Sequence, residues 1–278
     1  MKNPSQSFVR IFICPQKRGL MLRNLIVILL LLTAYSSEAQ DVVQSERLNL
    51  QATTSAIPKG SWQIESGFQY EGVSKGYYNQ YYFQAPKVQQ RFGISKKIEL
   101  RLALSNGNVF ARNHGAISSN YYLSGMEAPV FGSKIQILKQ KKLVPQIAIL
   151  TEVSLNPLAS RLYRSNQINP NVQILLSHQL SENLLLGYNL GSYWSNYLFY
   201  TYDFYLQKKW GTKWISNIEY KGHVSRLNET RTNKMSTLFG SVGYFISPKV
   251  MGDVGLGRGV GNRPDFLFRT GLSFRLLQ

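Results

Sequence analysis

The sequence predicts an all-β fold: a transmembrane antiparallel meander β-barrel of about twelve strands, with the N and C termini on the periplasmic side. Three observations support this prediction. Twelve segments alternate apolar and polar side chains with a period of two residues, and the connectors between them alternate in length. The chain also has 17 Tyr and 14 Phe at a mean hydropathy of only −0.19. This combination is typical of a barrel with one face in lipid and the other in water.

The N-terminal 39 residues have the features of a signal peptide. A basic stretch precedes an apolar run that begins at Leu25, and the small residues Ser37 and Ala39 predict cleavage after Ala39. A membrane-anchoring helix is the alternative, but the apolar run is about half of the ~20 residues that span a bilayer. Met21 is an alternative start of translation. We therefore expect an exported protein.

Composition and charge narrow the function classes. The chain has 32 Lys and Arg against 14 Asp and Glu, a net charge of +18. Export separates it from nucleic acid and no recognition motif is present, so we expect no nucleic-acid partner. The single cysteine, Cys14, lies in the predicted signal peptide, so the exported chain should have no disulfide. The predicted divisions are a signal peptide (1–39), a periplasmic N-terminal segment (40–58) and an outer-membrane barrel (59–278).

The first six predicted strands follow the period of two. In the third, IELRLAL, every second residue is Ile or Leu, and the residues between them are Glu99, Arg101 and Ala103. The first, WQIESGFQY, separates large apolar side chains from Gln63, Glu65 and other small or polar residues in the same way. The six segments span residues 62–70, about 82–94, 98–104, about 130–138, 146–155 and 171–180.

The remaining six strands continue the pattern to the C terminus. They span residues 184–194, about 199–208, 214–221, about 235–246, about 250–257 and 265–278. The last, DFLFRTGLSFRLLQ, has Arg269 and Arg275 between large apolar residues. We expect it to pair with the first strand, because this closes the barrel and removes the exposed sheet edge.

The predicted connectors are short at one end of the barrel and long at the other. The short, polar turns lie at 95–97, 139–142, 181–183, 211–213 and 247–249, and the longer loops at about 71–81, 105–129, 156–169, 194–198, 222–234 and 258–264. Brief periplasmic turns and longer outer loops are typical of outer-membrane barrels. A soluble β-sandwich, the alternative, gives no reason for this segregation.

Charged side chains take the positions opposite the apolar face, so we expect them to line the lumen. A charge facing hydrocarbon at the bilayer midplane would cost roughly 2–4 kcal/mol. Twelve strands close at a backbone radius of roughly 12 Å, which leaves either a narrow lumen or none. The predicted lumen-lining residues are Glu65, Arg91, Glu99, Arg101, Lys134, Glu152, Asp203, Glu219, Lys221, Asp253, Arg269 and Arg275.

Several motifs resemble one outer-membrane family. They are Glu46-Arg47, Ile57-Pro58-Lys59-Gly60, Gln63-Ile64-Glu65-Ser66-Gly67-Phe68, Phe92-Gly93-Ile94 before Ile98-Glu99-Leu100-Arg101, Gly187-Tyr188-Asn189-Leu190-Gly191, Gly257-Arg258-Gly259, Pro264-Asp265 and Gly271-Leu272-Ser273-Phe274. Together they resemble the family named for the meta-pathway of phenol degradation. The resemblance implies an outer-membrane barrel that passes small molecules. The chain departs from that family at Asn49 and at Gln51-Ala52-Thr53, where the family carries acidic residues.

The last strand also resembles the signal that the barrel-assembly machinery reads. Gly271, Phe274 and Leu276 occupy its glycine, aromatic and large apolar positions, with Leu277 and Gln278 following. The alternative is an ordinary final strand. On the first interpretation, the barrel-assembly machinery is a partner of this chain.

No cofactor, metal or catalytic residue is predicted. The glycine-rich stretch 255–265 lacks the Lys-Ser/Thr and the helix of a phosphate loop. His114 and His223 have no metal-ligand spacing, and His178, the candidate for a hydrolase, is expected near the periplasmic rim. We therefore predict a non-enzyme, with an outer-membrane hydrolase as the third hypothesis.

The leading functional hypothesis is a passive channel or uptake porin for small solutes, either anionic or aromatic. The alternative is a closed structural or assembly-partner barrel whose lumen is filled by a salt-bridge network. Outer-membrane lipid and lipopolysaccharide are the other expected partners. Basic loop residues would either pair with lipopolysaccharide phosphates or steer anionic solutes. These are Arg112, Arg161, Arg164, Arg226, Arg231, Lys234, Arg258 and Arg263.

Overall fold

The computed structural model describes residues 42–113, 119–226, 232–260 and 264–277. The predicted signal peptide, including Met21, lies outside these residues, as do His114, Arg231, Arg263 and Gln278. The strands are β1 (Trp62–Lys75), β2 (Tyr78–Gly93), β3 (Ile98–Asn113), β4 (Ser119–Met126), β5 (Val130–Leu138), β6 (Gln146–Leu155), β7 (Ile168–Ser181), β8 (Leu184–Trp194), β9 (Leu198–Trp210), β10 (Trp214–Arg226), β11 (Thr232–Ser247), β12 (Val250–Gly259) and β13 (Phe266–Leu277). A short 3₁₀ helix spans Asn156–Leu158.

These strands form one closed antiparallel barrel. Each strand from β5 to β13 pairs with its neighbour in sequence, β1 pairs with both β2 and β13, and β2 pairs with β3. β4 and β5 pair with successive parts of β3, so together they take the place of one strand in the barrel wall. Counted in this way, the barrel has twelve strands around its axis. The predicted twelve-stranded antiparallel barrel is confirmed. The pairing of β13 with β1 closes the sheet and covers the edges of both strands, which is why β13 continues to Leu277.

Several strands are longer than the sequence predicts. The predicted loop at 71–81 is wrong: β1 and β2 are joined by two residues, with Gly76 in the left-handed region at φ +57°. Most of the predicted loop at 105–129 is also strand, because β3 runs to Asn113 and β4 begins at Ser119. Polar and aromatic residues alternate less regularly in these extensions, which hid them from a search for apolar alternation.

The outer face of the barrel is apolar. The predicted lipid-facing positions are well exposed, as shown by Leu100 (47 %), Phe204 (54 %) and Ile218 (54 %). Their neighbours in sequence are buried and charged, such as Glu99 and Glu219 at 0 % and 1 %. The period of two therefore separates an exposed apolar surface from a buried polar one. Among the described residues, no helix is long and apolar enough to cross a bilayer.

Residues 42–61, called the lumen segment below, lie inside the barrel. The segment starts and ends at the end with the short turns, where Val43 N donates to Pro248 O (2.8 Å) and Gly60 N to Gly93 O (2.8 Å). Between these points Leu48 and Ile57 are 1 % and 0 % exposed. The sequence predicts residues 40–58 as a periplasmic segment apart from the barrel, and no local pattern in it indicates a location inside the barrel.

Candidate functional site

An ionic network joins the lumen segment to the barrel wall. Arg91 of β2 contacts Glu65 (3.0 Å) and Glu99 (2.9 Å), which lie on the strands at either side of it. Arg101 and Lys134 contact Glu99 at 3.1 and 3.2 Å. These residues face one lumen because alternate side chains of neighbouring strands point to the same side of the sheet.

Glu46 supplies the carboxylate that ties the lumen segment to this network. Its oxygens lie 2.7 Å from Arg101 Nη2, 2.6 Å from Lys134 Nζ and 3.5 Å from Arg91 Nη2. Burial alone would raise the pKa of Glu46, but the nearby charges of Arg101, Arg91 and Lys134 hold it well below the usual 4.5. Glu46 is therefore ionised at neutral pH and balances the cations of the wall.

Arg47 makes a second charged contact on the other side of the lumen. Its guanidinium donates to Asp253 through Nε (2.8 Å) and Nη2 (3.1 Å), a bidentate geometry. It lies over Gly67 and Gly271, which pair with each other across β1 and β13. A Cβ at either glycine would overlap the guanidinium and a backbone carbonyl, so the close approach of Arg47 requires glycine at both positions.

Wall side chains also satisfy the backbone of the lumen segment. Leu48 O accepts hydrogen bonds from Asn217 Nδ2 (3.1 Å) and Ser241 Oγ (2.6 Å). Leu50 N donates to Glu219 Oε2 (2.6 Å). Asn49 O accepts from Arg269 Nη1 (2.7 Å), and Ala52 O accepts from Asn189 Nδ2 (3.0 Å). The segment therefore needs no strand pairing to bury its peptide groups.

Two small apolar clusters hold the lumen segment as well. Val43 and Leu48 pack with Ile215 and Met251 near the short-turn end. The second cluster places Ala52 against Ala148, Leu150 and Leu175 of β6 and β7. These clusters are small compared with the polar contact surface, so charge and hydrogen bonding dominate the fit of the segment.

A cavity of about 430 Å³ lies beside the β2–β3 ladder and the junction of β4 with β5. It is lined by Gln84, Lys87, Ala103, Leu104, Ser105, Glu127, Ala128, Val130, Ser154, Asn156, Tyr163 and Asn169. Lys87 also lines a gap of about 30 Å³ against Glu46 and Arg47. The cavity and the lumen segment are therefore adjacent, with Lys87 between them.

The structure buries most of the predicted lumen-lining residues and brings several of them together. Those at most 7 % exposed are Glu65, Arg91, Glu99, Arg101, Lys134, Asp203, Glu219, Asp253, Arg269 and Arg275, while Glu152 and Lys221 are intermediate. Glu152 joins the ionic network through Arg101 (3.2 Å). Arg275 donates to Gln63 Oε1 (3.2 Å), and Gln63 Nε2 in turn donates to Glu65 Oε1 (2.8 Å).

The residues of the predicted assembly signal lie on β13. Gly271 packs under Arg47, Leu276 is exposed on the outer face, and Phe274 pairs with Ile64 of β1. These positions give Gly271 a packing role in the folded barrel, and recognition by the assembly machinery stays a prediction.

His178 Nε2 lies 3.0 Å from Leu143 O, and its ring stacks on Tyr188.

The sequence predicts the wall residues that meet the lumen segment, but it does not predict the roles of Glu46, Arg47 and Glu127. Glu46 and Arg47 stand out only as part of a motif, and Glu127 lies in a predicted loop. The only sequence signal for a segment inside the barrel is weak: the adjacent opposite charges of Glu46 and Arg47, followed by a stretch of small residues and a proline at 52–58.

Among the described residues, no group of three or more His, Cys, Asp and Glu side chains is arranged to hold a metal ion.

Comparison with solved structures shows the fold of outer-membrane barrels. The chain is similar to the COG4313 outer membrane channel from Pseudomonas putida F1, with a TM-score of 0.68 and 10 % identity over 81 % of this chain and 99 % of that one. It is also similar to the translocator domain of autotransporter NalP from Neisseria meningitidis (TM-score 0.51, 11 % identity, 94 % and 96 % coverage). A third similar structure is the transport unit of the autotransporter AIDA-I from Escherichia coli, with a TM-score of 0.50 and 9 % identity over 91 % of this chain and 96 % of that one.

No protein-family model and no curated protein matches the chain. The solved neighbours share so few identical residues that they show the barrel architecture alone. Membership in the family named for the meta-pathway of phenol degradation therefore stays a prediction.

Proposed function

We propose that this protein is an outer-membrane channel for small solutes whose lumen segment must move before solute passes. The observation that carries the proposal is that the cavity of about 430 Å³ lies next to the lumen segment, with Lys87 between them. A cavity that ends on a separate, mainly polar segment is suited to a gated path. The outer-membrane channel from Pseudomonas putida F1, with the same architecture, supports this proposal.

The contacts of the lumen segment suit displacement. The net stabilisation from a buried ion pair is small, because desolvation offsets much of the Coulomb attraction. Each hydrogen bond of the segment adds only about 0.5–1.5 kcal/mol of net stabilisation, because water can form a similar bond once the segment has moved. A segment held in this way is specific in position yet can be released when water or solute replaces its partners.

The exposed apolar face supports a location in the outer membrane. On this proposal the short turns and both termini lie on the periplasmic side, and the lumen segment closes that side. Lipid surrounds the apolar face, lipopolysaccharide phosphates pair with the basic loops, and the barrel-assembly machinery inserts the chain.

A disulfide between the lumen segment and the wall tests the gate. Ser45 Oγ and Ser273 Oγ are 2.7 Å apart, so the double variant S45C/S273C should form a disulfide that locks the segment. We expect wild-type protein to conduct ions in planar bilayers, the oxidised variant to lose the current, and reduction to restore it. The matched control is S133C/T151C, which joins β5 to β6 across a 3.0 Å contact and leaves the segment untethered.

Two outcomes contradict the proposal in different ways. Conductance of the oxidised lock at the wild-type level would show that the segment need not move. Absence of current from the wild-type protein at every voltage would instead favour the alternative function, a closed structural or assembly-partner barrel. The observation behind that alternative is the ionic network of Glu46, Arg91, Arg101 and Lys134, which joins the lumen segment to the barrel wall.

A further inference from the structure

The cavity of about 430 Å³ lies where the hydrogen-bond ladders on both sides of β3 are interrupted. The β2–β3 register shifts between Gln84 and Lys87. On the other side, residues 127–129 separate β4 from β5, and the connector 156–167 covers this break through a hydrogen bond from Ser160 N to Met126 O. Two ladder breaks beside one strand make room for a small molecule within the wall.

Glu127 forms the fixed centre of the cavity. It accepts hydrogen bonds from Tyr82 OH, from Ser105 Oγ and from Gln84 Nε2 at 2.6 Å. Three donors on three sides hold the carboxylate in one orientation. Its lone pairs are largely occupied by the protein, so Glu127 acts as the anchor for its neighbours.

Two other polar groups of the cavity are unused. In the part of the chain that the structure describes, Gln84 Oε1 and Tyr163 OH are buried and have no hydrogen-bond partner. Gln84 is 8 % exposed, and both side chains line the cavity. Buried polar atoms in folded proteins are nearly always hydrogen-bonded to protein, water or a ligand, so these two atoms beside the cavity are available to a solute that takes the place of water.

The charge and shape of the lining narrow the ligand. Lys87 and Glu127 are the charged residues of the lining, one of each sign, so neither an anion nor a cation is favoured overall. The free groups are an amide oxygen, which needs a donor, and a phenol, which can donate or accept. A hydroxyl group meets both needs, whereas an aromatic hydrocarbon meets neither.

We propose that this cavity binds a neutral, hydroxyl-rich solute such as a hexose or a short polyol. One hydroxyl donates to Gln84 Oε1, and another pairs with Tyr163 OH. Ala103 and Val130 contact the carbon skeleton, and the volume is that of a small-molecule site. The inference rests on the proposed function in that the bound solute is the one that the channel passes.

Equilibrium dialysis with radiolabelled glucose tests the site directly. The refolded full-length barrel is held in a sugar-free detergent, so that the detergent itself does not occupy the cavity. We expect saturable glucose binding, and no comparable binding of benzoate as an anionic, aromatic probe. Tighter binding of benzoate than of glucose would overturn the proposal.

Two variants locate the binding. Y163F removes only a hydroxyl that no described protein group uses, so folding is preserved, and we expect glucose to bind at least fivefold more weakly. Q84L should have a similar effect, and Q80L is the control, because Gln80 lies on the same strand outside the cavity lining. Wild-type affinity in both Y163F and Q84L would overturn the proposal.

The outcomes separate this inference from the proposed function. Conductance that the disulfide controls, without glucose binding, would overturn the glucose site and leave the gated channel. Glucose binding that Y163F weakens, without any conductance, would support the site and contradict the channel.

Discussion

Glu46 is the residue on which the proposed closed state is expected to depend most, because it contacts three buried cations. It lies in no strand, yet it contacts three cations contributed by β2, β3 and β5. No wall residue can replace it, because the carboxylates of Glu65 and Glu99 are already shared with the same cations. Glu46 is therefore the carboxylate that the lumen segment adds to the network, beside backbone contacts such as Ile57 N to Glu99 Oε2 (2.9 Å) and Lys134 Nζ to Thr53 O (3.0 Å).

Replacement of Glu46 by glutamine should open the channel. E46Q keeps the size of the side chain but leaves Arg101 and Lys134 without one of their carboxylates. Removing one partner of a buried ion pair costs about 3–5 kcal/mol, which is larger than the contribution of any single hydrogen bond of the segment. We expect a higher open probability in planar bilayers. The control T151S changes an outer-face contact and should conduct like the wild type. Unchanged gating of E46Q would contradict the role given to Glu46.

The same carboxylate predicts a pH dependence. The pKa of Glu46 is lower in the folded barrel than the 4.5 of an exposed glutamate, because Arg101, Arg91 and Lys134 outweigh the effect of burial. The ionised form therefore stabilises the closed state fully above pH 4.5, and this stabilisation is lost as the pH falls through the lower, folded-state pKa. Current recordings should show a closed channel from pH 7 to about 4.5 and opening only in stronger acid. Opening between pH 5 and 6 would contradict this assignment, and E46Q should lack the transition.

At the scale of elements, the seam between β1 and β13 serves two purposes. It closes the barrel, and the facing glycines Gly67 and Gly271 leave space for Arg47 above the sheet. A Cβ at Gly271 would meet Ser66 O as well as the guanidinium. The glycine of the predicted assembly signal is thus required by packing, whatever the assembly machinery reads.

An alanine at Gly271 should weaken this seam. We expect G271A to lower the temperature at which the folded barrel converts to the slower, unfolded band on a gel, since the new Cβ must displace backbone or Arg47. G252A is the matched control on β12, where the nearest atom to a new Cβ is Leu272 Cδ2 at 3.5 Å, an ordinary contact. Equal transition temperatures for the two variants would show that the seam tolerates a side chain.

At the scale of the whole molecule, the asymmetry between the two ends defines an orientation. The lumen segment enters and leaves at the end with the short turns, and the cavity lies next to its inner side. A solute entering from the other end meets the cavity before the segment. This order suits uptake toward the periplasm if the short turns face it.

Cysteine labelling can test this orientation, because the only cysteine of the chain, Cys14, lies in the predicted signal peptide. Tyr197 lies in the turn between β8 and β9, and Lys142 in the turn between β5 and β6 at the opposite end. A membrane-impermeant maleimide should label Y197C in intact cells and K142C only after the outer membrane is permeabilised. Labelling in the reverse order would invert the proposed topology, and the wild type shows the background.

The sequence by itself determined the barrel and the side of the wall on which each charged residue lies. Alternation is a local property, and a charge such as Glu99 between Ile98 and Leu100 can face only the interior when its neighbours face lipid. The strand count followed because each strand carries its own pattern. The sequence does not predict the extensions of β1, β2 and β3 or the whole of β4, because polar and aromatic residues alternate there without a clear apolar face.

Only the tertiary structure decided where the lumen segment lies and where the cavity forms. The segment has no periodicity, and its partners, such as Asp253 for Arg47 and Glu219 for Leu50, are distant in sequence. The cavity depends on two ladder breaks that fall beside the same strand only after the barrel has closed. Both features arise from contacts between residues that no local pattern connects, because closure of the barrel brings them together.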